Sequence, residues 1–310
     1  MKQYLYIYNY SPHEMNLCQM EVRRIFHDEL TSKYYFSQQY FDHTRSVYIK
    51  GRLDIMESSS CFQDIIDYIH KNKLCFYDFK VMYLKNDITH VNYEETLEKC
   101  KAISYPIDGS VDFKDPKVLI GFTKINDIWY FGIYHTNLEW DLRSHKPHSY
   151  SHSLNVRDAR TIVNIAVGND LSLKVVDPCC GVGTVVLEAL SMGIDIQGFD
   201  INRDVSYQAR LNLEHFGYNP LVVQKRDMRT LEQKYDVAIM DIPYGVYSPF
   251  TQEQQIELIK GAHRLAKRLL LVCHDDMEDI VKNIGYHIVD KASIQKGSFI
   301  RYMILCEREM

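Results

Sequence analysis

The spacing of apolar residues changes character near residue 150. From about 155 onward, short apolar runs alternate with segments of helical period. Residues 156–168 carry Ile162, Val163, Ile165 and Ala166 at helix spacing. There follow a strand at 174–179, a helix at 184–192, a strand at 195–200, a helix at 203–216 and a strand at 221–226. A strand at 235–240, a helix at 252–266, a strand at 268–274 and a helix at 277–284 continue the alternation. This pattern predicts an α/β fold with a doubly wound parallel sheet. Two last β-like runs, 286–294 and 298–307, flank Gln295-Lys296-Gly297 and predict a closing antiparallel hairpin.

Before residue 150 the pattern is mixed. Tyr4, Tyr6, Tyr8 and Tyr10 alternate with Gln3, Leu5, Ile7 and Asn9, a period of two that predicts a strand with one tyrosine face. That face either packs beneath a helix or offers a stacking surface for bases, and packing is the expected role. Ser60-Cys61-Phe62-Gln63 fits a capping box ahead of Phe62, Ile65, Ile66 and Ile69 at helical spacing. Cys18, Val22, Ile25 and Phe26 suggest an earlier helix, and strand-like runs lie at 80–83, 118–123 and 127–134. Residues 141–153, DLRSHKPHSYSHS, are polar, contain Pro147 and read as a solvated linker. The expected organisation is a small α+β domain at 1–140, a linker at 141–153 and the α/β domain at 154–310.

Composition narrows the class. The chain has 310 residues, enough for two domains, with 46% hydrophobic and 25% charged residues, as in ordinary soluble globular proteins. No apolar run approaches the roughly 18 residues of a membrane span, and the start, MKQYLYIYNY, lacks the apolar core of a signal peptide. A cytoplasmic protein with no membrane association is expected. Sixteen of the 23 tyrosines fall in residues 1–150, which supports a boundary there. The two parts carry net charges of −2 and −3, so neither is the basic domain of a dedicated nucleic-acid binder, although a local basic face is compatible with this balance. The eight cysteines include no CxxC pair and read as reduced thiols. His145, His148 and His152 match no zinc spacing, and no metal site is expected.

In open α/β sheets, ligands sit at the carboxyl ends of the strands. Four strand ends here carry polar or glycine-rich residues. The first reads Asp177-Pro178-Cys179-Cys180-Gly181-Val182-Gly183-Thr184, a turn in which two glycines admit close backbone approach. It lacks the third glycine of GxGxxG and the GKS or GKT of a P-loop. The second ends at Asp200, followed by Ile201 and placed to accept from ribose hydroxyls or to cap the next helix. The third ends at Asp227-Met228, where a carboxylate could meet an adenine amino group or serve as a surface cap. The fourth runs into Asp241-Ile242-Pro243-Tyr244-Gly245. Pro243 biases Ile242 toward an extended backbone. The Ile242 carbonyl and the Asp241 carboxylate could then accept the two hydrogens of an amino group while Tyr244 stacks on its ring.

These four ends, in this order, resemble the class I S-adenosylmethionine-dependent methyltransferases that modify exocyclic amino groups. More narrowly, 177–189 and 241–245 look like the THUMP-containing tRNA guanine-N2 methyltransferases. The run Lys146-Pro147-His148-Ser149-Tyr150, Ser153-Leu154, Ala159-Arg160 and Asn164-Ile165-Ala166 is similar to that family's leading helix, and 109–134 to the end of a THUMP domain. Ile242 stands where the family usually has proline. The resemblance implies a Rossmann-like methyltransferase domain preceded by a THUMP-like RNA-binding domain, with RNA, most of all tRNA, as partner. It implies S-adenosyl-L-methionine as cofactor, held by Asp177, Cys179, Gly181, Gly183, Thr184, Asp200, Ile201, Asp227, Met228 and Asp241. Methyl transfer to guanine N2 would be carried by Asp241, Ile242, Pro243 and Tyr244. The same loop is compatible with amino groups of DNA adenine, rRNA or protein glutamine. A nicotinamide oxidoreductase would share the glycine turn and Asp200 but leave 241–245 unexplained, and a catalytically silent RNA-binding protein is the alternative of another class.

Overall fold

The computed structural model describes residues 2–137, 143, 145–149, 154–243, 250–296 and 299–308. The chain forms two compact units that do not divide at a single point. The first comprises Met1–Asn9, Thr31–His43 and Ile49–Leu138; the second comprises Tyr10–Leu30, Thr44–Tyr48 and Glu139–Met310.

The first unit is built on a seven-stranded mixed sheet. Its strands are β1 (Gln3–Tyr8), β2 (Tyr34–Ser37), β3 (Ile49–Ser59), β4 (Cys75–Tyr83), β5 (Asp108–Val111), β6 (Val118–Ile125) and β7 (Ile128–Thr136), in the order β2-β1-β3-β7-β6-β4-β5. β4 runs parallel to β5 and β6, and the other pairs are antiparallel. Ile65 and Ile69 of helix α2 (Phe62–Asn72) and Ile103 of helix α3 (Tyr93–Ser104) bury against Phe79, Ile120, Phe122 and Phe131. The tyrosines of β1 are packed: Tyr4, Tyr6 and Tyr8 are 7, 0 and 2% exposed. The Tyr6 hydroxyl accepts from the Phe41 N–H at 2.7 Å, and the Arg52 guanidinium stacks over Tyr4 and Tyr40. Bases cannot stack on that face. The expected capping box at Ser60 is absent too; Cys61 caps α2, and the Ser59 hydroxyl accepts from the Cys61 N–H and donates to Asp64. One residue of phase moved the cap, because a hydroxyl two positions upstream already satisfied the loop.

The second unit contains the predicted alternation: α4 (Val156–Val167), β8 (Val175–Asp177), α5 (Thr184–Ser191), β9 (Ile196–Asp200), α6 (Arg203–His215) and β10 (Val223–Lys225). There follow β11 (Tyr235–Asp241), α7 (Gln252–Leu265), β12 (Ala266–Cys273), α8 (Glu278–Ile284), β13 (Tyr286–Lys296) and β14 (Phe299–Arg308). The sheet order is β10-β9-β8-β11-β12-β14-β13; β14 is antiparallel to both neighbours, and the pairs from β10 to β12 are parallel. This is the class I methyltransferase fold. The chain reverses direction in space between β8 and β11, which opens a crevice at their carboxyl ends.

Two parts of the sequence reading are corrected here. Helix α1 (Met15–Phe26), expected in the N-terminal domain, belongs to the second unit. Leu17 and Met20 join the core formed by Ile162, Val163 and Ala166 of α4. The buried Glu21 carboxylate accepts from Ser46 and Asn164, Arg23 pairs with Asp290 at 2.8 and 2.9 Å, and Arg157 pairs with Glu14. The described part of the expected linker is also docked. Arg143 pairs with the buried Glu188, Lys146 donates to the Thr184 hydroxyl at 2.7 Å, and the backbone of His148 exchanges two bonds with Asn212. His152 lies outside the described residues; among the described residues no group of three or more potential metal ligands occurs. All eight cysteines are free, four of them buried. Among the described residues, no helix is long and apolar enough to cross a membrane.

Truncating Met20 to Ala should destabilise the second unit by about 2–5 kcal/mol, since a core side chain leaves a cavity. Hydrogen exchange should then accelerate at the amides of α4 while those of β6 and β7 keep their protection.

Candidate active site

Four strand ends of the second unit converge on Cys179. Burial raises its thiol pKa, and the carboxylates of Asp177, Asp200, Asp227 and Asp241 all act on it in the same direction. The Cys179 thiol also lies 3.8 Å from the Met228 sulfur. A raised thiol pKa is the opposite of what a covalent nucleophile needs, so neither the half-buried Cys179 nor the buried Cys180 is suited to that role.

The turn itself is shaped by its glycines. Gly181 has φ +54° and Gly183 φ +79°, values that cost a side-chain-bearing residue strain. A Cβ on Gly183 would approach Ala209 Cβ to 3.2 Å, so this glycine lets α5 and α6 pack. A Cβ on Gly181 would meet nothing within 4 Å, because Gly181 faces a cleft of about 530 Å³. The Gly181 N–H donates to Asp200 Oδ2 at 3.0 Å, and the Asn202 N–H to Asp200 Oδ1 at 2.8 Å. Asp200 thus holds two loops, and the second lone pair of each oxygen is available at the cleft wall.

Cys179, Gly181, Asp200, Ile201, Asp227 and Met228 line that cleft, as does Pro243. Asp177 lies beneath it, buried, with Oδ1 accepting from the Cys179 N–H at 3.3 Å. Thr184 is likewise buried, its hydroxyl taken by Lys146. Asp227 caps a short 3-10 turn and is paired with Arg229, whose guanidinium holds the carboxyl below the usual range. The sequence reading missed the opposite wall, made by Phe250 and by Glu253, Gln254 and Leu258 of α7. Its signal was present: Thr251 and Gln254 form a capping box that starts a helix at the same end of the sheet.

Asp241, expected among the cofactor-binding residues, does not line the cleft, whereas Pro243 two positions on does. Asp241 closes β11 in register with Val272 of β12, and its Oδ1 is buried with no hydrogen-bond partner among the described residues. Burial pushes its pKa up to about 6, against the pull of Arg301 and with a push from Asp158. An unsatisfied buried acceptor costs free energy and marks a place built to receive a donor. Beside it the Ile242 N–H donates to Val272 O at 3.0 Å, and Gln255 of α7 donates to Pro243 O at 2.9 Å. These bonds fix the peptides on both sides of the Ile242 carbonyl. Tyr244 lies outside the described residues.

The residues present fit an adenosyl nucleoside bearing a cation. The cleft has the volume of a cofactor site, and a carboxylate stands at its rim at the end of the second strand. Asp177, Asp200 and Asp241 all have raised pKa values through burial, so a nearby positive charge would be favoured.

Comparison with known proteins agrees with this geometry. Residues 143–272 match the family model UPF0020, described as an RMKL-like methyltransferase domain. A tRNA (guanine(10)-N2)-dimethyltransferase of Methanothermobacter thermautotrophicus is 33% identical over 121 residues, covering 38% of this chain and 36% of the relative. A tRNA (guanine(10)-N2)-dimethyltransferase of Pyrococcus abyssi is 28% identical over 175 residues, 52% of each chain. The chain thus spans about a third to a half of the length of these curated relatives. The crystal structure of TrmN from Thermus thermophilus superposes with a TM-score of 0.50 at 14% identity, over 99% of this chain and 100% of that one, a likeness of fold.

The raised Asp241 pKa has a sign. Relative to the unfolded chain, its folded carboxyl prefers the proton, so its contribution to stability is present below about pH 4 and is lost as pH rises through about 6. Asp241→Asn should therefore be more stable than wild type by about 1–3 kcal/mol at pH 7.5. The difference should close toward pH 4.5 when denaturation midpoints are compared.

Proposed function

We propose that the protein is an S-adenosyl-L-methionine-dependent methyltransferase acting on an exocyclic amino group of a nucleic-acid base, guanine N2 in tRNA. The observation that carries this reading is the unpartnered Asp241 Oδ1 beside the fixed Ile242 carbonyl, at the end of β11. An amino group presents two hydrogens on one nitrogen, and two acceptors at adjacent chain positions match them. The two dimethyltransferase relatives support guanine N2 in tRNA as the substrate.

S-adenosyl-L-methionine would supply a methyl carbon made electrophilic by its bond to a sulfonium sulfur. Asp200 and the backbone around Gly181 would hold the ribose, Asp227 and Met228 would border the adenine, and the buried Asp177 would favour the cation. The lone pair of a guanine amino group is delocalised into the ring, which makes the nitrogen a poor nucleophile. Accepting both amino hydrogens, Asp241 and the Ile242 carbonyl orient that lone pair out of the ring plane. The proton lost from the nitrogen passes to Asp241 or to water. Pro243, held by Gln255, keeps the loop rigid, and Tyr244 is assigned to stacking from its place in the sequence. Preorganised acceptors of this kind supply most of the rate.

The first unit, residues 1–9, 31–43 and 49–138, is assigned as a THUMP-like RNA-binding domain. Exposed Tyr77, Tyr93, Tyr105 and Phe113 supply rings on which single-stranded bases could stack. A tRNA substrate places the enzyme in the cytoplasm.

Incubation with unmodified tRNA and methyl-labelled cofactor, followed by nucleoside mass spectrometry, tests the assignment. N2-methylguanosine should form with wild type, and Asp241→Ala should slow transfer at least about 10³-fold. S-adenosylhomocysteine affinity should stay within a few fold of wild type. Label appearing in another nucleoside, or full activity of Asp241→Ala, would overturn it.

A further inference from the structure

Asp241 and Arg301 share one face of the second unit's sheet. Asp241 is in register with Val272, and Val272 with Met303, so these three side chains project to the same side. Arg301 precedes Met303 by two residues on β14 and therefore projects to that side as well, just beyond the carboxyl end of β11. Helix α4 covers this face: Ile162, Val163 and Ala166 pack with Val272, Met303 and Leu305. Its first turn brings Asp158, itself buried, to within 3.5 Å of the Arg301 guanidinium. Asn155, the cap of α4, donates to the same Asp158 oxygen at 2.9 Å.

We propose that Arg301 is a positioning residue for Asp241, anchored on Asp158 and set between the two carboxylates so that Asp241 remains ionised when it receives the amino group. The inference rests on the reading of Asp241 as the amino-group acceptor. Two carboxylates flank one cation; without Arg301, burial would leave Asp241 protonated and offering a donor where an acceptor is required. Asp158 has a second effect. Its charge repels that of Asp241 while it fixes Arg301, so the pair tunes Asp241 instead of simply lowering its proton affinity.

The other groups facing this cluster are consistent with that role. Asp177 on β8 is pushed toward its protonated form by burial and by Asp241, Cys273 on β12 is a buried neutral thiol, and Glu14 is paired with Arg157. The His274 Nδ1–H donates to Ile300 O at 3.0 Å, and burial lowers the pKa of the ring, so it adds no positive charge at neutral pH. Among these described groups, Arg301 is the cation acting on Asp241.

The test is a carboxyl-carbon NMR titration of aspartate-labelled full-length protein, with the Asp241 resonance identified by its loss in Asp241→Asn. The pH–rate profile of methyl transfer is measured beside it. Arg301→Met should move the Asp241 midpoint, and the acid limb of the rate profile, up by about one pH unit or more. Arg301→Lys should restore most of that displacement, and Asp158→Asn should move both downward. Opposite movements from the two sides of one ion pair separate electrostatic tuning from a merely structural role, which would move both variants alike. Unchanged midpoints, or movements in the same direction, would overturn the proposal; if Arg301→Met does not fold, Arg301→Lys and Asp158→Asn decide it. Opposite midpoint movements together with full activity of Asp241→Asn would uphold the Arg301 link and sink the amino-acceptor reading instead.

Discussion

Carboxylates withdrawn from water at the ends of parallel strands govern how the second unit is put together. Asp177 and Asp241 are buried at neighbouring strand ends, and Asp200 stands at the next. Each is disfavoured there as an anion, since burial removes hydration that nearby dipoles replace only in part. The surrounding structure answers with specific donors. The Gly181 and Asn202 amides hold Asp200, the Cys179 amide holds Asp177, and Arg301 acts on Asp241. What is left unanswered is one oxygen of Asp241, and that remainder is where the chemistry is assigned. A site kept short of its optimum stability in this way trades folding free energy for readiness.

The elements that look peripheral in the sequence serve this arrangement. Helix α4 presents Asp158 at its first turn, and its opposite side is pinned by a segment from far upstream. The Glu21 carboxylate is fully withdrawn from water, and burial pushes its pKa up to about 7 despite bonds from Ser46 and Asn164. Arg45 donates to Gly168 O, and Arg160 bridges Thr44 O and Glu188. Buried ionic groups of this kind specify one packing of α1 and residues 44–48 on α4 more than they add net stability. The position of α4, and so of Asp158, follows from them. Arg143 and Lys146 do the same for the start of α5.

Much of the fold was legible because parallel strands buried on both faces read as continuous apolar runs. Every predicted helix and strand after 155 is present, with no end displaced by more than two residues. The glycine turn and the four acidic strand ends were legible for a related reason. Tight strand-to-helix turns need positive φ at Gly181 and Gly183, and polar residues at the ends of apolar strands stand out against their neighbours. The α7 wall, with Phe250 and Leu258, was not read, since an amphipathic helix looks the same whichever groove its first turn borders.

What the sequence by itself determined was therefore local: the element order, the turn and the identity of the strand-end acids, each written in periods of two or 3.6 residues. Tertiary structure decided which of these meet. That α1 leaves its sequence neighbours for the second unit, that 143–149 docks instead of linking, and that Asp158, Arg301 and Asp241 share one sheet face are long-range facts. They depend on strand order and helix packing between residues from 38 to 143 positions apart, for which a single sequence carries no periodic signal. The Asp241 proton affinity is of the same kind, since it is set by burial and by charges that the fold brings together.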